Sequence, residues 1–172
     1  MYRFINVMFR FVVFALLLCA VGCGKTPRAG QYIAVKERPE ISVPTDKGIV
    51  YFIRKDAFIG GGVSYLILED NKEIGALKSG TYFVVEADEG KHTFSAETES
   101  EAFVTVDVRN GQASYIVGGI TLGAFIGRPN LVEVTKETAH RLLEDGDIRY
   151  LRLRTPEEFE AWKAKRNKKK MF

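Results

Sequence analysis

The pattern of apolar and polar positions divides the chain into three parts. Residues 11–18 are wholly apolar, residues 24–48 show little apolar periodicity, and from Gly48 onward short apolar runs alternate with turn residues. Short runs rich in β-branched and aromatic side chains, bounded by Gly, Asn and Asp, are typical of β-strands. The pattern therefore predicts strands at 49–54, 63–69, 73–77, 81–86, 92–97, 102–108, 113–117 and 131–134.

The spacing of these runs indicates the fold class. Turn signals recur about every 8–12 residues, which is typical of a sandwich or barrel of antiparallel strands. We predict a mainly β fold, an antiparallel β-sandwich of the immunoglobulin or transthyretin type with about seven or eight strands. Asn110-Gly111 is the strongest hairpin signal, because both residues tolerate positive φ.

One or two short helices are expected at the C-terminal end. Residues 135–145 have an amphipathic pattern, and a second helix is predicted from Thr155 onward. There Thr155 is the N-cap, Pro156 occupies the first helical position, and Glu158 completes a capping box. Between the two helices, the arginine-rich stretch 148–154 is predicted to be an exposed edge strand that its charges protect from further pairing.

The N-terminus has the features of an export signal. Residues 1–10 contain two arginines and no acid, residues 11–18 are apolar, and small residues precede Cys23. This order is typical of a secretory signal peptide, and the uncharged run is shorter than the roughly 20 residues that span a bilayer. We predict a lipoprotein signal peptide at 1–22; a buried helix or a tail-like anchor is the alternative.

The predicted cleavage site resembles the lipobox of bacterial lipoproteins. Ala20, Val21 and Gly22 precede Cys23, although Ala20 stands where Leu is usual. The resemblance implies diacylglycerol on the Cys23 thiol as the only cofactor, and cleavage before that residue. The other cysteine leaves with the signal, so no thiol remains for a disulfide, a metal site or a nucleophile. Because Gly24 is not Asp, we expect an envelope protein at the outer membrane, facing the periplasm.

Charge separates the body of the chain from its end. Residues 24–148 carry 14 Lys/Arg and 19 Asp/Glu, a net charge of −5, whereas residues 149–172 carry 9 Lys/Arg and 3 Glu, a net charge of +6. A basic tail can dock on anionic lipid, worth roughly 1 kcal/mol per charge, or on anionic wall polymers; a solvated tail is the alternative. The candidate contacts are Lys163, Lys165, Arg166, Lys168, Lys169 and Lys170.

These patterns predict four segments: the signal peptide, a lipidated cysteine with a flexible tether at 23–47, the sandwich at 48–145, and an edge strand with a basic helix or tail at 146–172. The part from 48 to 145 resembles a family of small bacterial lipoproteins, domain of unknown function 2846, with transthyretin-like or PEGA-like sandwiches. The resemblance implies an exported β-sandwich without a known catalytic residue. The matching motifs lie at 51–54, 74–77, 80–83, 89–92, 111–115 and 131–139.

No constellation of catalytic or metal-binding residues is apparent. His92 follows a turn and is interpreted as structural, with an acid, base or ligand role as the alternative, and His140 is expected to be solvated. Gly60–Gly62 lacks the Lys and helix of a phosphate loop, so we predict a hairpin or bulge. Glu97, Glu99 and Glu101 lack a calcium-loop pattern and are interpreted as a solvated turn.

The segment 115–127 is the most unusual internal stretch. It is uncharged and rich in glycine. One interpretation is a buried strand followed by a packed glycine loop; the other is an exposed apolar patch for a partner or lipid.

Three functional hypotheses remain. The first is a membrane-anchored, non-enzymatic lipoprotein whose sandwich binds a protein or glycan. The second is a structural envelope protein whose basic tail bridges to anionic lipid or cell wall. The third is a hydrolase that uses His92. Nucleic acid is not an expected partner of an exported protein.

Overall fold

The computed structural model describes residues 30–145 and 147–170. The predicted signal peptide, the lipobox and Cys23 lie outside these residues. The described chain is mainly β, as predicted, with two sheets and two helices. Its elements are β1 Tyr32–Val35, β2 Gly48–Arg54, β3 Tyr65–Glu69, β4 Lys72–Leu77, β5 Thr81–Ala87, β6 Gly90–Glu97, β7 Glu101–Val108, β8 Ala113–Thr121, β9 Arg128–Val134, α1 Lys136–Asp145, β10 Arg149–Leu153 and α2 Pro156–Lys170.

The strands form a six-stranded sheet and a four-stranded sheet. The strand order is β1-β10-β5-β2-β8-β9 in the larger sheet and β4-β3-β6-β7 in the smaller one. Two pairs in the larger sheet, β2 with β8 and β10 with β5, are parallel, so this sheet is mixed rather than antiparallel throughout. All eight strands predicted for the sandwich are present as β2 to β9. The strand predicted at 148–154 is present as β10, and β1 was not predicted.

The core between the sheets is built on β2. Side chains alternate between the faces of a strand, so Val50 and Phe52 point toward the smaller sheet. The Phe52 ring stacks on Phe83 at a centroid distance of 4.8 Å and meets the edge of Phe94 at 5.0 Å. Such stacked and edge-to-face pairs add to the free energy of burial.

The other face of the larger sheet is covered by α1. Ile53, Tyr82 and Tyr115 form an apolar cluster with Ala139 of the helix and Ile148 beyond it. The helix predicted at 135–145 is therefore confirmed. With both faces covered, β2 is buried almost along its whole length.

The prediction of a hairpin at Asn110-Gly111 is wrong. The strands on either side of Asn110-Gly111 belong to different sheets, because β7 pairs with β6 while β8 pairs with β2 and β9. This turn is the crossover between the sheets. A two-residue hairpin is found instead at Asp70-Asn71, which joins β3 to β4 and has positive φ at both residues, 47° and 62°.

Two predictions about the ends of the domain are also wrong. Within the segment predicted as a flexible tether, Tyr32–Val35 form β1, which pairs with β10. Consequently β10 is not the predicted edge strand: it lies between β1 and β5, and its Leu151 is buried. The short strand β1 takes the edge position.

The second predicted helix begins as expected. The Glu158 backbone N–H donates to Thr155 Oγ1 at 3.3 Å, and the Thr155 N–H donates to the Glu158 carboxylate at 3.0 Å, which is the predicted capping box. Neither helix in the described ranges is long and apolar enough to cross a membrane.

Candidate functional site

Five large apolar side chains project into solvent at one end of the sandwich. Phe58 and Ile59 lie in the β2–β3 connection, and Leu122, Phe125 and Ile126 lie in the β8–β9 connection. Their exposed fractions are 101%, 61%, 81%, 95% and 53%, respectively. A fully exposed phenylalanine contributes almost nothing to a core, so these side chains together form an exposed apolar patch. These five residues are called the apolar tip below.

Sheet pairing brings the two connections of the apolar tip together. Because β2 and β8 are parallel neighbours, both connections leave the sheet at the same end. Gly60 has a φ of 72°, and a Cβ there would lie 2.7 Å from Ile120; Gly127 has a φ of 107° and is equally close to the same side chain. Both loops therefore need glycine where they meet Ile120. A depression of about 130 Å³ lies between them, lined in part by Ile59, Ile120 and Phe125.

A buried arginine holds the first loop from inside. Arg54 is almost fully buried, and its guanidinium donates to the carbonyl oxygens of Gly60 and Val63, both at 2.7 Å. It also lies over the Tyr65 ring, 5.2 Å from the ring centroid. Burial lowers the pKa of Arg54, but an arginine stays protonated in proteins. The charge therefore fixes the carbonyl groups of the loop that carries Phe58.

A carboxylate holds the second loop. The backbone N–H groups of Ala124, Phe125 and Ile126 donate to Glu99, at 2.8, 2.9 and 3.2 Å. The bond from Phe125, followed by that from Ile126, holds the pKa of Glu99 below its usual value. The prediction of a solvated turn is thus wrong for Glu99. No group of three His, Cys, Asp or Glu that could hold a metal occurs in the described part of the chain.

We expect Glu99→Ala to release the second loop without unfolding the domain. The three N–H groups lose their acceptor, so their amide hydrogens should exchange faster at neutral pH, which hydrogen–deuterium exchange resolved to residues 124–126 can measure. Because the pKa of Glu99 is lowered, the wild-type loop should stay protected until the pH falls through that lowered value. Glu101→Ala, an exposed neighbour, is the matched control; the same acceleration in both variants would contradict the assignment.

Each interpretation of the segment 115–127, a buried strand or an exposed apolar patch, is correct for one part of it. Tyr115 and Ile116 are buried in β8, whereas Leu122, Phe125 and Ile126 are exposed beyond its end. Phe58 and Ile59 were not among the predicted site residues, because the pattern there was interpreted only through the glycines that follow them. The available signal was an apolar pair between a charged pair, Lys55-Asp56, and three glycines.

The two histidines lie away from the apolar tip. His92 Nδ1 is 2.5 Å from a Glu69 carboxylate oxygen, and Nε2 is 2.8 Å from the carbonyl oxygen of Asp88. Burial lowers the pKa of His92, but the bonds to Glu69 and Asp88 outweigh this effect and raise it. Both ring nitrogens are therefore engaged within the fold. His140 is exposed on α1, with Nε2 3.4 Å from the Tyr115 hydroxyl.

The His92–Glu69 pair predicts a pH-dependent contribution to stability. Since the pKa of His92 is raised in the folded state, the contribution is complete below the unfolded pKa of about 6.5 and is lost as the pH rises through the folded value. His92→Gln should therefore lower the melting temperature more at about pH 5.5 than at about pH 8.5. His140→Gln is the matched control for loss of a histidine. An equal effect of His92→Gln at both pH values would contradict the ion pair.

The basic helix α2 packs against the N-terminal end of the described chain. The Trp162 ring packs directly on Gly30, where the described chain begins. Arg152 holds the helix start through two bonds to Glu158, at 2.7 and 2.8 Å, and this arginine lowers the pKa of Glu158 to about 2.

The predicted anionic-surface contacts all lie on α2. Lys165 is exposed, Lys163 pairs with Glu160 and lies over the Phe159 ring, and Arg166 lies over the Trp162 ring. The side chains of Lys168, Lys169 and Lys170 fall outside the described part of the structure. The helix thus carries its cations beside the point from which the chain leads back to Cys23.

Comparison with known proteins gives little functional information. No protein-family model matches the chain, and no solved structure matches it. An uncharacterized protein from Haemophilus influenzae is 27% identical over 93 residues, which are 54% of this chain and 55% of that protein. The chain spans about half the length of this curated relative, whose name states no activity. The family resemblance described above therefore stays a prediction.

Proposed function

We propose that this protein is a non-enzymatic lipoprotein of the bacterial envelope, anchored through Cys23, whose β-sandwich binds a partner. The observation that carries the proposal is the apolar tip. The buried Arg54 and the half-buried Glu99 hold its two loops in place, while Phe58 and Phe125 stay exposed. Exposed apolar patches on a soluble domain mark interaction sites, because they cost solubility when left uncovered.

The position of the chain end supports a membrane-anchored orientation. Gly30 packs against Trp162 of α2, and Cys23 is only seven residues before Gly30. A lipid on Cys23 and the cations of α2 would then meet the same membrane surface. A lipid anchor combined with basic residues binds anionic membranes more firmly than either alone.

The environment of His92 supports a binding role over hydrolysis. A general base needs a ring nitrogen within hydrogen-bond reach of the substrate proton. In His92 one nitrogen meets Glu69 and the other meets the Asp88 carbonyl. We therefore interpret His92 as a residue that joins β6 to β3 and to the preceding turn.

Palmitate labelling tests the anchor. Wild-type cells grown with labelled palmitate should incorporate the label into this protein, and Cys23→Ala should abolish it. Cys19→Ala is the matched control, because it removes the other cysteine of the chain and should leave labelling unchanged. Equal labelling of wild type and Cys23→Ala would overturn the anchor, and separation of the two membranes would test the expected outer-membrane location.

The bridging role of the basic tail is the second candidate. The observation that favours it is the cationic helix that leaves the sandwich near Gly30. Deleting residues 163–172 in the Cys23→Ala background should abolish salt-sensitive retention on membrane or wall fragments. The matched control replaces three exposed lysines of the body, Lys55, Lys72 and Lys91, by glutamine. Unchanged retention after the deletion would refute a role for the tail.

A further inference from the structure

We propose that a depression between the end of β10, the residue before β1 and the start of α2 binds one anionic phospholipid molecule. Its phosphate would lie at Arg154 and its apolar part along Leu153 and Phe159. This inference rests on the proposed anchor at Cys23, because the anchor brings the depression near lipid headgroups. It assigns a defined site to a single lipid, in contrast to the general attraction between a basic tail and an anionic surface.

The depression has the size and the walls of a small-molecule site. Its volume is about 440 Å³, and sites for small ligands usually measure about 300–1,000 Å³. Gln31 forms one wall, and the apolar side chains of Leu153, Pro156 and Phe159 form others. A second depression of about 320 Å³ adjoins the first at Arg154, which lines both. The site therefore combines apolar walls with a cation.

Two cations lie close together beside the apolar walls. Arg154 Nε is buried and has no hydrogen-bond partner in the described part of the chain, which is unfavourable for a charged donor. Lys78 Nζ donates to the carbonyl oxygen of Tyr32, at 3.2 Å. Burial, followed by the nearby charge of Arg154, lowers the pKa of Lys78. Because like charges repel, an anion beside both cations would stabilise them.

The nearby carboxylates are paired with other cations. Glu158 accepts a bond from Arg152 on each of its two oxygens, at 2.7 and 2.8 Å. Glu160, which lines the depression, forms an ion pair with Lys163. Residues 24–36, which lead from the predicted anchor into β1, contain no Asp or Glu. Charge complementarity thus favours an anionic ligand from outside the chain.

The walls and the position of the depression favour a membrane lipid as that anion. A guanidinium group matches the oxygens of a phosphate, and apolar walls match the glyceride and acyl part of a lipid. The Trp162 ring packs on Gly30, and Cys23 lies seven residues before Gly30, at most about 25 Å away along an extended chain. A lipid on Cys23 would therefore hold the depression within reach of the headgroups of its membrane.

Fluorescence of Trp162 tests the inference. This residue is the only tryptophan of the chain and lines the adjoining depression, so a brominated lipid bound there should quench it. The full-length mature protein, in uncharged detergent micelles, is titrated with phosphatidylglycerol that carries brominated acyl chains. We expect saturable quenching, with at least tenfold weaker binding of brominated phosphatidylcholine, whose headgroup has no net charge.

Two pairs of variants separate the site from general lipid attraction. Arg154→Gln should weaken binding of phosphatidylglycerol at least tenfold, whereas Arg149→Gln, which changes an exposed arginine of the same strand, should not. Leu153→Ser should weaken it several-fold, whereas Val132→Ser, an equally exposed residue on β9, should not. Since Arg154 Nε has no partner in the described structure, Arg154→Gln should fold normally, which a melting curve checks.

Each outcome decides for or against the lipid site. Equal quenching by both lipids, equal effects of Arg154→Gln and Arg149→Gln, or tighter binding of brominated stearate, a free carboxylate, would overturn the inference. Palmitate labelling of the same protein separates the two proposals. A labelled chain without saturable quenching refutes the lipid site and leaves the anchor standing, whereas an unlabelled chain that is quenched refutes the anchor and leaves the site.

Discussion

Phe58→Ser combined with Phe125→Ser should abolish capture of the partner and leave the fold intact. Both side chains are almost completely exposed, so their removal should change the free energy of unfolding by no more than about 0.5 kcal/mol. Truncating an anchoring aromatic residue at an interface costs about 2 kcal/mol or more, so the two changes together should weaken binding by about a thousandfold. Urea unfolding measures stability, and a photoreactive residue at Ile59 reports partner capture.

The matched control is Phe103→Ser combined with Val132→Ser. These side chains are partly exposed on β7 and β9, outside the apolar tip, and their loss should leave partner capture unchanged. Two results would contradict the role of the apolar tip. One is undiminished capture by the double tip variant; the other is a stability loss of several kcal/mol, which would mean that Phe58 and Phe125 support the fold.

The strands of the sandwich were predictable because their signal is local. In β6 and β7 the buried positions alternate with exposed ones, and this period of two is visible in a single run of residues. The capping box at Thr155 and Glu158 is equally local, since the reciprocal bonds join residues three positions apart. Where residues close in sequence determine the structure, the pattern of apolar and polar positions was sufficient to predict it.

The ends of the larger sheet were not predictable from local pattern. Tyr32–Val35 lie among polar residues and become a strand only because β10 is beside them, more than a hundred residues away. The arginines of β10 indicated an edge, yet the strand is interior because β1 covers it. For Asn110-Gly111 the turn chemistry was recognised, but whether a turn joins partners in one sheet or crosses to the other depends on the whole topology.

Only one of the two loops of the apolar tip was predictable, because the pairing of distant strands brings the loops together. Its second loop was noticed as part of the uncharged segment 115–127, but the end of β8 decides which residues are exposed. Its first loop joins the surface only through the parallel pairing of β2 with β8. The support from Glu99 was not predictable, because the carboxylate meets N–H groups 25 to 27 residues further along the chain.

Phe52→Ala is expected to have the largest effect on stability, with a loss of about 3–5 kcal/mol. The side chain is fully buried at the centre of β2, in contact with Phe83 of the same sheet and with Phe94 of the facing sheet. Its removal leaves a cavity that backbone pairing of β2 on both sides prevents from collapsing. Since domains are stable by only about 5–15 kcal/mol, the variant should unfold at much lower urea concentration.

The matched control is Phe103→Ala. It removes a phenylalanine side chain from a partly exposed position on β7 and should lower the free energy of unfolding by less than about 1 kcal/mol. Strand β2 also positions Arg54, which holds the loop that carries Phe58. Partner capture by Phe52→Ala should therefore decrease in proportion to the fraction of unfolded protein, and it should be normal under conditions in which the variant is folded. A loss below about 1 kcal/mol for Phe52→Ala would contradict the packing of the two sheets around this ring, because a well-packed core cannot lose a phenylalanine so cheaply.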